Sequence, residues 1–132
     1  MAKLFPQAIT VISVKAGEAV TKNCFGQLEQ TGDPAEAVMA GDGEGMGIFL
    51  NDADEGEWVD FLVGGVGNAI RGASAVVAGN LLDSDASGHA TPLGSGVGTR
   101  RYCAMSLGNP SAADEIFPVL IVFGIDTDTD TT

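Results

Sequence analysis

Apolar residues recur along this chain in short runs, and several of the runs alternate with a period of two, which is the spacing of β-strands. In the segment Glu57–Val63, the apolar odd positions form one face, whereas Trp58, Asp60 and Leu62 form the other. Gly, Pro, Asn and Asp residues, which favour turns, separate the runs. The pattern predicts ten short strands: Ile9–Val14, Cys24–Glu29, Glu36–Met39, Met46–Leu50, Trp58–Val63, Asn68–Ile70, Asn80–Asp83, His89–Thr91, Tyr102–Ser106 and Ile116–Phe123.

These strands predict an all-β fold, either a small β-barrel or a β-sandwich. Nineteen glycines among 132 residues, spread between the apolar runs, fit many strands joined by turns. Only Ala73–Ala78 has the composition of a short helical turn.

The segment Ile116–Phe123 is apolar at every position, so both of its faces are expected to be covered, by its own fold or by a neighbouring subunit. Pro118 places this strand at an edge or a bulge. The face of Trp58 and Leu62 is a second candidate for a contact between subunits. The predicted interface residues are Trp58, Leu62, Phe117, Val119, Ile121 and Phe123.

The two halves of the chain show a weak internal similarity, which allows a duplicated unit at residues 8–65 and 66–124. The comparison sets Lys15-Ala16-Gly17 against Val77-Ala78-Gly79. Residues 1–22 are predicted to form an N-terminal arm with the first strand, and residues 8–124 the β-domain. The Asp-Thr segment at residues 125–132 is predicted to be a flexible acidic tail.

The charge of the chain is strongly negative, with 18 acidic against six basic residues and a net charge of −12. A nucleic-acid partner is therefore not expected, because phosphates would be repelled. Three of the six basic residues lie within residues 1–22, which hold Glu18 as their one acid. This segment is thus suited to dock on an acidic neighbour. The composition fits either a halophilic origin or an ordinary soluble acidic surface.

The sequence offers no convincing catalytic or metal site. His89 is the one histidine, and a catalytic triad would need a nucleophile and an acid positioned beside it. Asp83–Gly88 matches the first six positions of a calcium loop, but Gly94 stands where the bidentate glutamate is needed, so a hairpin turn is the better interpretation. No enzyme activity, metal or cofactor is expected.

Cys24 and Cys103 lie in apolar surroundings without a CxxC pair, which favours buried free thiols over a disulfide. The longest apolar run, Ile116–Ile125, is too short to span a bilayer, and no signal peptide is recognisable. A membrane partner is therefore not expected.

The sequence resembles the small capsid decoration, or cement, proteins of tailed viruses. The resemblance rests on glycine and valine turn patterns, namely Val14–Val20, Gly45–Ile48, Asp54–Val59, Gly64–Val66 and Ala75–Gly88. It implies a β-module on the outer surface of the virion, commonly a homotrimer, that binds the major capsid protein and bridges capsomers without enzyme activity.

If the resemblance holds, the basic N-terminal segment is the expected contact with the capsid, through charge and through pairing of a strand edge. The predicted contact residues are Lys3, Lys15, Lys22, Ile9 and Val11. The alternative is a small non-enzymatic domain that binds a ligand or a carbohydrate.

Overall fold

The computed structural model describes residues 9–29, 32–93 and 98–128, and all the regular structure in these ranges is β. No helix in the described ranges is long and apolar enough to cross a membrane. Nine strands are present: β1 (Thr10–Lys15), β2 (Phe25–Leu28), β3 (Ala37–Met39), β4 (Gly47–Phe49), β5 (Trp58–Ile70), β6 (Leu81–Ser84), β7 (Ala90–Pro92), β8 (Gly98–Ser106) and β9 (Ile116–Asp128).

The strands form one antiparallel, barrel-like sheet, which confirms the predicted fold class. Its order is β3-β2-β4-β5-β9-β8-β6-β7, and β1 also pairs with β5. Two predicted strands, Trp58–Val63 and Asn68–Ile70, are joined in β5, because the chain continues in extended pairing through Gly64 and Gly65 instead of turning there.

The predicted helical turn at Ala73–Ala78 is wrong. Its backbone groups are used by side chains elsewhere in the fold: the N–H groups of Val77 and Ala78 donate to the side-chain oxygens of Asn80 and Asn109. The carbonyl of Ser74 accepts from Arg71. A segment this short cannot outweigh such competing bonds, because a helical nucleus is costly to form.

The strand pairing of the first part of the chain recurs in the second part. We call residues 9–64 the first unit and residues 65–128 the second unit; β5 ends one and begins the other. In the first unit, Val11 pairs with Leu62, Leu62 with Ile48, and Ile48 with Phe25, so the four residues form a row across the strands. In the second unit, Val66, Leu120, Met105 and Leu81 form the corresponding row.

The connections between strands recur as well. The N–H of Gly17 donates to the carbonyl of Ala37 at 2.8 Å, and that of Gly72 donates to Ala90 at 2.9 Å. Positive φ angles also coincide: 70° at Asn23 and 89° at Gly79, each just before β2 or β6. These matches describe backbone geometry, and the duplication of the sequence at residues 8–65 and 66–124 stays a prediction.

Two clusters of buried side chains form the core. One lies inside the first unit and includes Phe49 and Phe61, whose ring centroids are 5.2 Å apart. The other fills the second unit and extends into the first, where it takes in Phe25, Ile48 and Leu62. The two units therefore share one continuous apolar contact.

Four of the residues predicted at a subunit interface belong to this core. Leu62, Phe117, Val119 and Ile121 are at most 6% exposed, because they face the second cluster. Their place is inside one chain, so only Trp58 and Phe123, which are 62% and 49% exposed, still carry the interface prediction.

Residues 125–128, predicted to belong to a flexible tail, are part of β9. β9 continues to Asp128, and residues 125–128 lie opposite Gly98–Arg101 of β8, with Arg100 in register with Asp126. Residues 125–128 are held in a strand because their backbone pairs with β8. The remainder of the predicted tail lies outside the described residues.

Candidate functional site

The first candidate surface is β1, an edge strand. It pairs with β5 on one side, and its other side has no strand partner within the described ranges except at the following residue, Ala16, which bridges to Ala37. Five of its six side chains are exposed. Val11 is 42% exposed and the preceding Ile9 is 62% exposed. Exposed apolar residues on an unpaired edge are typical of strands that pair with another chain.

A cavity of about 610 Å³ runs beside this edge, between β1 and residues 32–36. Trp58 forms part of its wall, and the ammonium group of Lys15 lies 5.6 Å from the centre of the Trp58 ring. An exposed tryptophan with a cation over its ring offers a flat apolar face beside a positive charge. The loop side of the cavity, including Asp33 and Pro34, was not found by sequence reasoning, because no local pattern indicates which strand edge a loop will face.

The predicted contact residues fall into three groups. Ile9, Val11 and Lys15 lie along or beside β1, and all three are exposed. Lys22 is also exposed but lies in the loop after β1, where its backbone N–H donates to Asp52 at 2.8 Å. Lys3 lies outside the described residues.

His89 has a neighbour that the sequence did not reveal. Its Nδ1 lies 3.8 Å from Oδ1 of Asp114, which is highly exposed in the loop before β9. In the described part of the chain, no hydrogen bond joins the ring to a hydroxyl or thiol, so a nucleophile is missing from the arrangement. Both side chains reach solvent, so a contact of this kind contributes little free energy.

The hairpin interpretation of Asp83–Gly88 is correct. Oδ1 of Asp85 accepts from the N–H groups of Ser87 and His89 at 2.8 and 3.0 Å, and Gly88 has a φ of 78°. Among the described residues, no three His, Cys, Asp or Glu side chains are grouped to hold a metal ion.

Asp83 itself is not in the turn but in β6, where it helps to join the two units. It is only 6% exposed, and its Oδ1 accepts from the N–H of Ser84 at 2.7 Å and, more weakly, from that of Gly45 at 3.4 Å. Burial raises the pKa of Asp83, although these bonds and the charge of Arg101 oppose the change. Gly45 belongs to the first unit, so the bond crosses between units.

Both cysteines are free and buried, as the sequence indicated. Burial, with smaller contributions from Asp85 and Asp52, raises the pKa of Cys24 to about 11. Burial also raises the pKa of Cys103, whose Sγ lies 3.7 Å from Asp83. Thiols held in this state are poor nucleophiles at neutral pH.

The geometry therefore defines a small β-barrel-like protein whose notable surfaces are a strand edge and apolar patches. No protein-family description matches the chain, and no curated protein is similar enough to be matched. Among solved structures, its fold is similar to the N base of the head fiber protein gp8.5 of bacteriophage phi29, with a TM-score of 0.67 and 14% sequence identity. The similarity covers 87% of this chain and 95% of the phage chain.

Proposed function

We propose that this protein is a non-enzymatic structural component of a tailed-virus head, bound to the outer capsid surface as a homo-oligomer, with a trimer as the expected form. The observation that carries the proposal is the fold shared with a phage head fiber base over 87% of the chain. The acidic body, with a net charge of −12, gives no support for a nucleic-acid partner.

The β1 edge is the surface that we assign to the major capsid protein. Its free backbone groups can extend a strand of the capsid protein, and this interaction is not screened by salt. Val11 and Ile9 add apolar contact, while Lys15 and Lys22 supply positive charge to an otherwise acidic protein. Decoration needs only a modest affinity per site, because many copies on a lattice act together.

The test is decoration of purified heads that lack this protein, measured by co-sedimentation and microscopy. We expect Val11→Lys to weaken decoration at least tenfold, since it places a solvated charge in the strand contact. Val77→Lys is the matched control, because Val77 is 54% exposed and lies in the connection before β6, which is three places from β5, the partner of β1, in the strand order. The control variant is expected to decorate as the parent does.

A second pair of variants separates the charge contribution from the strand contribution. Lys15→Glu and Lys22→Glu are expected to weaken binding at low salt and to have little effect in molar salt, where charges are screened. His89→Ala should decorate normally, because the proposal gives His89 no role. If the Val11 and lysine variants, while folded, decorate as fully as the parent, the assignment of β1 is wrong. If the parent itself does not bind heads, the proposed function fails.

The cavity at Trp58 favours a second candidate, a carbohydrate- or ligand-binding domain. Sugar rings stack on exposed aromatic faces, and Trp58 is 62% exposed at the wall of a cavity. Calorimetry with a panel of glycans decides between the candidates. Binding that Trp58→Ala abolishes would support this second function, whereas no binding by the parent would dismiss it.

A further inference from the structure

Each unit has apolar surfaces that correspond to those of the other unit. Among the described residues, two of these surfaces lack the contact that the corresponding surface in the other unit makes. The first is the row of Leu81, Met105 and Leu120, which we call the open row. These residues lie directly opposite one another on β6, β8 and β9, so their side chains share one face of the sheet. Each is partly exposed.

The equivalent residues in the first unit are Phe25, Ile48 and Leu62, which we call the buried row. They are at most 1% exposed. They belong to the same apolar cluster as Cys103, Val119 and Ile121, which line the interior of the second unit. The buried row thus covers the interior of the unit that follows it.

The second surface is one side of the first-unit interior, over which no equivalent row lies among the described residues. Counting along the chain from the paired positions, the first-unit equivalents of Ser84, Cys103, Val119 and Ile121 are Leu28, Met46, Phe61 and Val63. The second-unit set is at most 6% exposed. In the first-unit set Phe61 is also buried, but Leu28 and Val63 are partly exposed and Met46 is exposed. These four residues line a cavity of about 450 Å³, which Phe123 and Arg101 complete and which we call the open cavity.

The polar contacts along the seam between units show that this packing is specific. The N–H of Phe25 donates to the carbonyl of Gly88 at 2.7 Å, and the N–H of Gly43 donates to Ser84 at 2.9 Å. Oγ of Ser84 donates to the carbonyl of Gly41 at 2.6 Å. A contact built from matched strands, apolar side chains and these bonds is well suited to be repeated between chains.

We infer that the open row of one copy inserts into the open cavity of a second copy, so that copies associate head to tail through the contact that already joins the two units within each chain. Leu107 extends the open row: it is 43% exposed, whereas its equivalent, Leu50, packs against the shared cluster. On the cavity side, Met46 is 37% exposed and Phe123 is 49% exposed. The open row is apolar like the buried row and lies on strands that are paired in the same way.

A head-to-tail contact uses two different surfaces, so it closes into a ring when the rotation between copies divides a full turn. This contact would be the surface through which the proposed homo-oligomer forms, and it depends only on the self-association in the proposed function. It makes no use of the capsid, so experiments without viral heads test it separately.

The test uses two variants with damage on opposite surfaces. Met105→Glu places a charge in the open row, and Met46→Glu places one at the open cavity. Sedimentation should show the parent as a multiple of its 13.4 kDa chain and each variant alone as a monomer. Circular dichroism and thermal unfolding check that both variants fold; Leu107→Glu replaces Met105→Glu if that variant does not.

Mixing the two variants gives the decisive result. The intact row of the Met46→Glu chain can enter the intact cavity of the Met105→Glu chain, and the remaining surfaces are both damaged. We therefore expect a one-to-one pair that grows no further. Ile116→Glu, on a side chain that is 55% exposed and outside both surfaces, should assemble like the parent.

Three results would overturn the inference: a monomeric parent at high protein concentration, folded variants that still assemble alone, or a mixture that stays monomeric. A parent that is monomeric but decorates viral heads would leave the capsid role standing while removing this contact. A parent that assembles as described but ignores viral heads would do the reverse.

Discussion

At the scale of single residues, the closest backbone contacts in the sheet depend on glycine. A Cβ added at Gly47 would lie 2.5 Å from the carbonyl oxygen of Leu62 and 3.0 Å from the ring of Phe61. The carbonyl belongs to a strand paired on both sides, so it cannot move aside. The glycine content of the sequence indicated turns, but Gly47 is in β4 and serves close packing.

We expect Gly47→Ala to lower the free energy of unfolding by about 2 kcal/mol, which is typical of forced overpacking. Gly41→Ala is the matched control, because the nearest atoms to an added Cβ there are 3.8 Å away. Denaturant unfolding of the two variants measures the difference. Equal stability of both variants would mean that β4 can shift away from Leu62.

Asp83 provides a prediction about pH. Because burial raises its pKa in the folded state, folding favours the protonated carboxyl. The contribution of this residue to stability is therefore full below the pKa of the unfolded chain, and it is lost as the pH rises through the folded-state value.

Asp83→Asn keeps an oxygen to accept from Ser84 and Gly45 but cannot ionise. We expect its stability relative to the parent to increase as the pH is raised from about 3 to about 7. Urea unfolding at several pH values checks this, and Asp42→Asn, an exposed carboxylate, reports the effect of general charge repulsion. An Asp83→Asn curve parallel to that of the parent at every pH would contradict the prediction.

The predicted interface residues show which part of the burial pattern of a strand can be inferred from its sequence. Alternation correctly placed Val59 and Phe61 on the buried face of β5. In β9 the pattern is apolar throughout, so it could not say which face meets the chain's own core. The predicted interface includes Val119 and Ile121, whereas the structure buries both and leaves the intervening Leu120 partly exposed. Adjacent strand residues face opposite ways, so the choice turns on tertiary packing.

At the scale of elements, two strands of 13 residues, β5 and β9, hold the fold together. The sequence predicts two strands in place of β5, separated at Gly64 and Gly65, because glycines usually mark turns. In the structure, the first part of β5 pairs with β1 and β4, and the second part pairs with β9. Local signals cannot reveal a strand that changes partners along its length.

The end of β9 is a second example, because the composition of the Asp-Thr repeat predicts a flexible tail. We expect truncation after Gly124 to lower the free energy of unfolding by about 2 kcal/mol, because it removes the partners of Gly98–Arg101 and each backbone bond contributes about 1 kcal/mol. Truncation after Asp128 keeps every one of those pairs and serves as the control. Thermal unfolding that is unchanged in the shorter chain would show that residues 125–128 contribute nothing.

At the scale of the whole molecule, the recurrence of strand pairing is clear in the hydrogen bonds but weak in the sequence. The sequence comparison set Gly17 against Gly79, whereas the backbone bonds match Gly17 with Gly72 and Asn23 with Gly79. The units keep their backbone geometry with different side chains: Phe61 corresponds to Val119, and Leu28 to Ser84. A pattern based on residue type drifts out of register under such changes.

The distribution of charge leads to the last prediction. The chain carries a net charge of −12, and among the described side chains no lysine or arginine nitrogen lies within 4.0 Å of a carboxylate oxygen. Most of the negative charge is therefore not neutralised by a neighbour. The repulsion acts over a Debye length of about 8 Å at physiological salt and about 3 Å at 1 M.

We expect the melting temperature to rise by several degrees between about 0.1 M and about 2 M potassium chloride, because screening relieves a repulsion that is strongest in the compact state. A variant with Asp42→Asn, Glu44→Gln and Glu55→Gln provides the matched control, since all three side chains are exposed. Salt also strengthens apolar burial, but that effect is the same in the parent and the control. The parent should therefore gain more from salt than the control does. Equal gains, or a melting temperature independent of salt, would show that charge repulsion does not limit the stability of this fold.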